Sequence, residues 1–228
     1  MRTLLVVASW LGIIVLPVVI VCSILTNLFF DASFYRAGQD KYQVQFTTGL
    51  SFDQIDRVDQ GIVRFFAGSE SLPQALQNSN ADPDVFKQKE ILHMDDVRAI
   101  VQFIGTAQVV GLAFLAGFVA LSLAVLQRGG RAALSRTLIY GSVLTVALVL
   151  LAGLLTYTSF DWFFLTFHEV TFQNDFWELD PRTDHLIQMF PFGFWYDAML
   201  TVALRVLIVT LVLGSSGVAV GQFERRRE

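Results

Sequence analysis

The sequence predicts an all-α integral membrane protein, a four-transmembrane-helix bundle with a small extracytoplasmic cap of short helices and at most one strand pair. The composition is the first reason, because 54% of the 228 residues are hydrophobic and the mean hydropathy is +0.56. Soluble domains are less apolar than this. The second reason is a set of four apolar runs separated by two long polar connections. We expect residues 1–228 to form a single membrane domain.

Each of the four apolar runs reaches the ~20 residues that a helix needs to cross ~30 Å of hydrocarbon. The runs occupy about 3–30, 99–126, 134–158 and 198–220. Arg205 lies well inside the last run. A charged side chain is costly in lipid, so Arg205 is a candidate functional residue, either holding a developing oxyanion or pairing with an acid from another span.

The positive charges predict the orientation of these spans. Arg2, the arginines at 128, 131 and 136, and the tail at 225–227 all lie on one side if both termini are cytoplasmic. A tight turn at Gly129-Gly130 joins the second and third spans. The two long connections, 31–98 and 159–197, are then extracytoplasmic.

The first long connection has the texture of a folded segment. Tyr42–Phe46 alternates apolar and polar residues, which predicts one short strand. Ser51 and Gln54 form a capping-box pattern that begins a helix ending near Gly68. Residues 72–83 are rich in polar residues and proline, and they predict a flexible loop. Asp84 is then expected to cap a helix that runs through His93 into the second span.

The second long connection begins with an aromatic stripe. Phe160, Phe163, Phe164 and Phe167 repeat at helical spacing, which is typical of a helix lying in the membrane interface. On such a helix a second set of residues shares one stripe with His168: Asp161, Leu165, Phe172 and Asp175.

The three histidines all lie in or beside these connections. His93 and His168 each lie just outside an apolar run, on the same predicted side of the membrane. An imidazole with an unperturbed pKa near ~6.5 accepts and donates protons near neutral pH. Two such residues beside several carboxylates indicate acid–base chemistry at the membrane boundary.

Two motifs around these histidines resemble a known family. The first is EILHMDDV at 90–97, and the second runs from FH at 167–168 through NDxWxLDPxTDxLIxMFP at 174–191. Softer matches are FY at 34–35, KY at 41–42 and TGLS at 48–51. With the four spans, these motifs resemble the bacterial lipoprotein intramolecular transacylases over the whole chain.

This resemblance implies an enzyme, a membrane acyltransferase of the bacterial cytoplasmic membrane with its active site on the extracytoplasmic side. It would move an acyl chain from the glyceryl group to the N-terminal cysteine amine of the same lipoprotein, giving a lyso-form N-acyl product. Its partners would be diacylglyceryl-modified lipoproteins and membrane lipids, and no cofactor is expected. His93 and His168 match the two motif histidines, which implies general acid/base catalysis with either one as the base.

Several charged residues could support the histidines by orienting an imidazole or stabilising its cation. Asp96 is a better neighbour of His93 than Asp95, because residues three apart share a helical face. The supporting candidates are Asp95, Asp96, Glu169, Asp175 and Arg205.

Two other function classes stay open at this stage. A metal-dependent membrane hydrolase would use a zinc site built from His93, Asp96, His168, Glu169 and His185, although no HExxH spacing occurs. A non-catalytic sensor, assembly factor or transporter subunit is the other class. Nucleic acid is not an expected partner, because the net charge is −4 without a basic block outside the C-terminus. The single cysteine excludes an intrachain disulfide, and the oligomeric state is open.

Overall fold

The computed structural model describes residues 2–125 and 129–225, and every regular element within that part of the chain is an α-helix. Four helices are long and apolar enough to cross a membrane, which confirms the predicted fold class. In chain order the helices are α1 (Arg2–Phe29), α2 (Ala32–Lys41), α3 (Val44–Thr48), α4 (Phe52–Ala67), α5 (Leu72–Asn78), α6 (Gln88–Ala124), α7 (Gly130–Thr171), α8 (His185–Met189) and α9 (Phe192–Arg225).

The long helices exceed the thickness of a bilayer. With a rise of about 1.5 Å per residue, the 37 residues of α6 are roughly 55 Å long, against ~30 Å of hydrocarbon. Polar residues that flank the apolar runs therefore lie on the same helices as the spans. The exact limits of the four spans, and a single domain from 1 to 228, stay predictions.

Contacts divide the chain into two compact units. One comprises Met1–Leu25, Ile104–Leu154 and Thr201–Glu228, and it includes Arg205. Its helices approach closely through small residues. The Ser9 and Thr137 hydroxyls lie 2.9 Å apart, and the Ser135 hydroxyl donates to the Gly217 carbonyl. Lipid tails are as apolar as the helix surfaces, so no hydrophobic force drives helices together in a membrane. Small residues at the contacts allow the close packing that does.

The other unit comprises Thr26–Phe103 and Leu155–Leu200. Its core is built on α4, which buries Ile55, Val58, Ile62 and Phe65 on one face. The Ser51 hydroxyl accepts from the Gln54 amide, and the Gln54 side chain accepts from the Ser51 amide. This confirms the predicted capping box, and the helix ends beside Gly68 as expected.

Three local predictions in the first connection are wrong. The short strand predicted at 42–46 is the helix α3, because Gln43 adopts a left-handed conformation (φ 54°) and turns the chain. The flexible loop predicted at 72–83 contains α5, whose Leu72, Ala75 and Leu76 are fully buried. The helix expected to start at Asp84 starts at Gln88.

The aromatic stripe lies on the last part of α7. Backbone angles leave the helical region at Ser159 (φ −157°, ψ 52°) and return to it afterwards. The helix ends at Thr171, so Asp175 lies in a turn and does not share the stripe predicted for it. Gly129 has a positive φ of 100°, as the predicted tight turn requires. The charges predicted to set orientation at Arg128, Arg226 and Arg227 lie outside the described residues.

Candidate active site

His93 and His168 face each other in the second unit. The first lies near the start of α6 and the second near the end of α7, 75 positions later in the sequence, and their ring centroids are 6.1 Å apart. Both side chains are more than nine-tenths buried. Even with one nitrogen of each ring aimed at the other, this separation exceeds hydrogen-bond length. The two imidazoles are therefore close neighbours without a direct hydrogen bond between them.

The orientation of His168 is fixed by its own helix. Its Nδ1 lies 2.7 Å from the carbonyl oxygen of Phe164, one turn earlier. A carbonyl oxygen only accepts, so Nδ1 carries the hydrogen and donates it. In the neutral ring Nε2 then has the lone pair. The backbone thus selects the tautomer that can act as a base through Nε2.

Aromatic rings enclose the His168 imidazole. Four ring centroids lie between 4.3 and 5.5 Å from it: Phe164, Phe167, Phe172 and Trp177. These rings exclude water, which strengthens electrostatic interactions at the site. The spacing of the aromatic stripe predicted a helix in the membrane interface, and it did not indicate this enclosure.

His93 has a different environment. Its ring packs edge-to-face on Phe172 at 5.0 Å, so one phenylalanine contacts both histidines. Its Nδ1 is buried and has no hydrogen-bond partner among the described residues. Buried polar atoms normally have a partner. The hydrogen-bonding capacity of this nitrogen is therefore unused among the described residues.

Glu90 anchors the start of α6 one turn before His93. Its carboxylate is fully buried, and it accepts from the backbone amides of Lys87 at 2.7 Å and Leu186 at 2.6 Å. The second bond ties α6 to α8, near the end of the second motif. Glu90 belongs to the first quoted motif, but nothing in its spacing indicated this role.

Asp96 is the one supporting carboxylate that links the two histidine segments among the described residues. It lies three residues after His93, and one of its oxygens accepts from the Asn174 amide at 2.9 Å. Asn174 follows the helix that carries His168. The supporting role of Asp96 beside His93 stays a prediction.

The other predicted supporting residues are placed elsewhere. Asp95 is exposed and pairs with Arg98 at 2.9 Å, while Glu169 and Asp175 are exposed. Arg205 is half-buried in α9 and belongs to the other unit. The roles proposed for these four residues stay predictions.

His185 differs from the other two histidines. Its Nδ1 lies 2.9 Å from the backbone oxygen of Val85, and it begins α8. Within the described part of the chain, no three His, Cys, Asp or Glu side chains come close enough to hold a metal ion. The zinc set considered above therefore does not assemble there.

Comparison with solved structures gives the same fold. The chain resembles the membrane-integral lipoprotein intramolecular transacylase of Bacillus cereus with a TM-score of 0.85 and 17% identity, covering 99% of this chain and 100% of that one. Two histidine variants of that enzyme match at TM-scores of 0.79 and 0.71, with 16% and 19% identity. They cover 99% and 96% of this chain, and 97% and 95% of theirs. At these identities the likeness establishes the fold.

A match to a family model establishes the family. An uncharacterised protein of Aquifex aeolicus is 29% identical over 135 residues, which span 58% of this chain and 56% of that protein. The family model for the lipoprotein intramolecular transacylase Lit matches residues 10–195, which include both histidine motifs. As those motifs and the predicted acyltransferase class indicated, the chain belongs to the lipoprotein intramolecular transacylase family.

Proposed function

We propose that this protein moves an acyl chain from the glyceryl group of a diacylglyceryl lipoprotein to the N-terminal cysteine amine of the same molecule. The observation that supports this most directly is the pair of buried imidazoles, 6.1 Å apart, in a member of this family. One base and one hydrogen-bonding partner are what an ester-to-amine transfer requires.

His168 is the base in this proposal. The neutral α-amine attacks the ester carbonyl carbon, and a C–N bond forms as the carbonyl becomes a tetrahedral oxyanion. Nε2 of His168 accepts the proton that the amine nitrogen loses, because Nδ1–H is held by the Phe164 carbonyl. The C–O bond to glycerol then breaks, and the imidazolium returns the proton to the departing oxygen. The products are an amide and a free glycerol hydroxyl.

His93 acts as the hydrogen-bonding partner. Two imidazolium cations at this separation repel each other in a dry site, so His93 remains neutral while His168 carries the proton. A neutral ring donates one N–H, which suits an oxyanion or the departing glycerol oxygen. The unpartnered Nδ1 of His93 is in keeping with a ring that completes its hydrogen bonds with substrate.

The substrate supplies both the nucleophile and the ester, so no covalent enzyme intermediate is needed. Holding the amine against the carbonyl in attack geometry contributes up to ~7–11 kcal/mol in well-oriented intramolecular reactions. The rigid aromatic wall around His168 is suited to that task. It confines the reacting groups while His93 and His168 act from two sides.

We place the reaction at the extracytoplasmic face of the bacterial cytoplasmic membrane, with both termini cytoplasmic. Exposed apolar side chains near His168 on α7 support an interfacial position, since large apolar residues at this depth contact lipid. They include Trp162, Leu165 and Val170, the last with 81% of its surface exposed. The acyl chains of the lipoprotein would lie among the surrounding membrane lipids and reach the site from there.

Expression in a bacterium that makes only diacylglyceryl lipoproteins tests the proposal. The N-terminal lipopeptide of one abundant lipoprotein should keep its total mass, while fragmentation should show one acyl chain linked as an amide. His93→Ala and His168→Ala should each leave the diacylglyceryl form. His185→Ala is the matched control, because the His185 ring bonds the backbone carbonyl of Val85.

Two outcomes contradict this account. An unaltered diacylglyceryl peptide, made beside correctly folded membrane protein, would show that the substrate or the activity differs. Full conversion by the His93→Ala/His168→Ala double variant would show that the pair does not catalyse the transfer. A binding or assembly role predicts that the histidine variants change association with a partner and leave lipid structure unchanged.

A further inference from the structure

The turn that follows α7 forms part of the wall around both histidines. Phe172 contacts both rings, and Trp177 lies 5.2 Å from His168. The segment between them is not helical and is shaped by local bonds, such as the Glu178 amide donating to the Asp175 carbonyl. Local bonds shape a turn, but they do not fix its distance from another helix.

Within the described part of the chain, two polar contacts tie this turn to α6. The Lys89 ammonium donates to the Glu178 carbonyl, but a lysine side chain is long and flexible and holds a position weakly. The other contact is the Asn174 amide donating to the Asp96 carboxylate at 2.9 Å. Both of its side chains are short and half-buried.

Hydrogen bonds at both polar atoms fix the orientation of the Asn174 side-chain amide. Its oxygen accepts from the Phe176 backbone amide at 3.0 Å, so its nitrogen must be the atom that faces Asp96. The carboxylate accepts only, which gives the same assignment independently. One side chain therefore shapes the turn and bonds to the helix that carries His93, one turn from that histidine.

We propose that the Asp96–Asn174 hydrogen bond is a positioning contact that sets the separation of His93 and His168 by holding residues 172–179 on α6. The inference rests on the proposed acyl transfer for its functional meaning. Neither residue needs to touch substrate. The bond carries no proton in the reaction, and the charge of Asp96 matters less than the hydrogen bond that it accepts.

Exchanging the two side chains separates the bond from the charge. Asn174→Asp places two carboxylates against each other and breaks the contact. Asp96→Asn leaves an amide oxygen that still accepts from Asn174. The double variant D96N/N174D restores an amide–carboxylate bond, because the new amide donates and the new carboxylate accepts from both the amide and Phe176. The negative charge then lies on the turn and not on α6.

Acyl transfer and hydrogen exchange in residues 172–179 are measured together for these variants. We expect N174D to lose on the order of 100-fold in rate, because a small misplacement of reacting groups costs about that much. Its turn should exchange faster. D96N keeps an oxygen that accepts from Asn174 and should lose much less rate than N174D, and D96N/N174D should recover most of the rate and the original protection. N78D is the matched control. Asn78, in α5, also donates its side-chain amide to a carboxylate, that of Glu70, at 2.9 Å.

Two results would overturn the inference. One is an N174D protein with wild-type rate and protection. The other is a double variant that regains protection but remains as slow as N174D, which would assign the role to the charge on Asp96. If wild type itself transfers no acyl chain, the proposed function fails, and the exchange measurement still decides whether the bond holds the turn.

Discussion

The Nδ1 atom of His168 lies 2.7 Å from the carbonyl oxygen of Phe164, and this contact distinguishes the two histidines. It presents Nε2 of His168 as the acceptor, whereas Nδ1 of His93 is buried without a partner among the described residues. The proposed mechanism assigns the base from this difference in hydrogen bonding.

The first prediction concerns the base itself. His168→Asn places an amide near the Nδ1 position, so it can keep the bond to Phe164 while removing the atom that accepts a proton. Loss of a general base lowers rates by about 10²–10⁴. We expect a loss in this range, measured as the initial rate of amide-linked lipopeptide formation, with unchanged abundance in the membrane. A loss below tenfold would contradict the assignment.

The second prediction concerns Phe172, which contacts both imidazoles. Phe172→Ala leaves a cavity beside the pair, and such truncations cost about 3–5 kcal/mol in a packed core. We expect a lower melting temperature and slower acyl transfer, while Phe172→Leu should restore most of the stability. Thermal unfolding in detergent measures the first effect. Equal melting temperatures for all three proteins would show that this ring is not packed as described.

The third prediction concerns Glu90, whose buried carboxylate accepts from two backbone amides. Glu90→Ala removes the acceptor of both amides, and the buried Leu186 amide left without a partner costs about 1–3 kcal/mol. We expect a strong loss of thermal stability. Glu70→Ala is the comparison, since Glu70 pairs with Arg64 at the exposed surface, where such pairs contribute little to stability. Similar losses for the two variants would contradict the anchoring role of Glu90.

The fourth prediction concerns pH and the buried Asp59 of α4. Burial raises the pKa of Asp59 to about 7, with a further rise from Asp56, while the Gln39 amide and Arg36 oppose it. Because this value exceeds the ordinary 3.8, the folded protein binds more protons between the two values. Stability from this group is therefore complete below the ordinary pKa and is lost as pH rises through about 7.

In the wild-type protein the Gln39 side-chain amide donates to an Asp59 oxygen at 2.9 Å. Asp59→Asn removes the titration and keeps an oxygen that accepts this hydrogen bond. We expect the variant to melt several degrees above wild type at pH 8 and to match it near pH 4. Thermal unfolding of both proteins across this range measures the difference. A constant difference at every pH would show that Asp59 does not titrate in this window.

Much of this account could be predicted from the sequence, because hydropathy and capping are local. The four spans, the capping box at Ser51 and the pairing of two histidine motifs needed only periodicity, charge and a resemblance. The helix α3 was mistaken for a strand because an alternating five-residue pattern outweighed the left-handed turn at Gln43. The helix α5 was mistaken for a loop because its burial depends on α4, which is a tertiary contact.

The parts of the site that were not predicted depend on distant contacts. Glu90 meets Leu186 and Asp96 meets Asn174 across 96 and 78 positions of sequence, and no local pattern indicates either pair. The aromatic stripe that supplies Phe164 and Phe167 to this enclosure predicted only a helix in the membrane interface, because helical spacing alone does not distinguish the two roles. The spacing of Phe172, four residues after His168, was the one local indication that an aromatic ring lies beside this histidine.

The most direct test of the central claim is the fragment mass spectrum of an N-terminal lipopeptide made with wild type, His168→Asn and His185→Ala side by side. The account predicts an amide-linked acyl chain at unchanged total mass for wild type and His185→Ala, and the diacylglyceryl peptide for His168→Asn. An amide-linked chain in all three samples, or in none of them from folded protein, would contradict it.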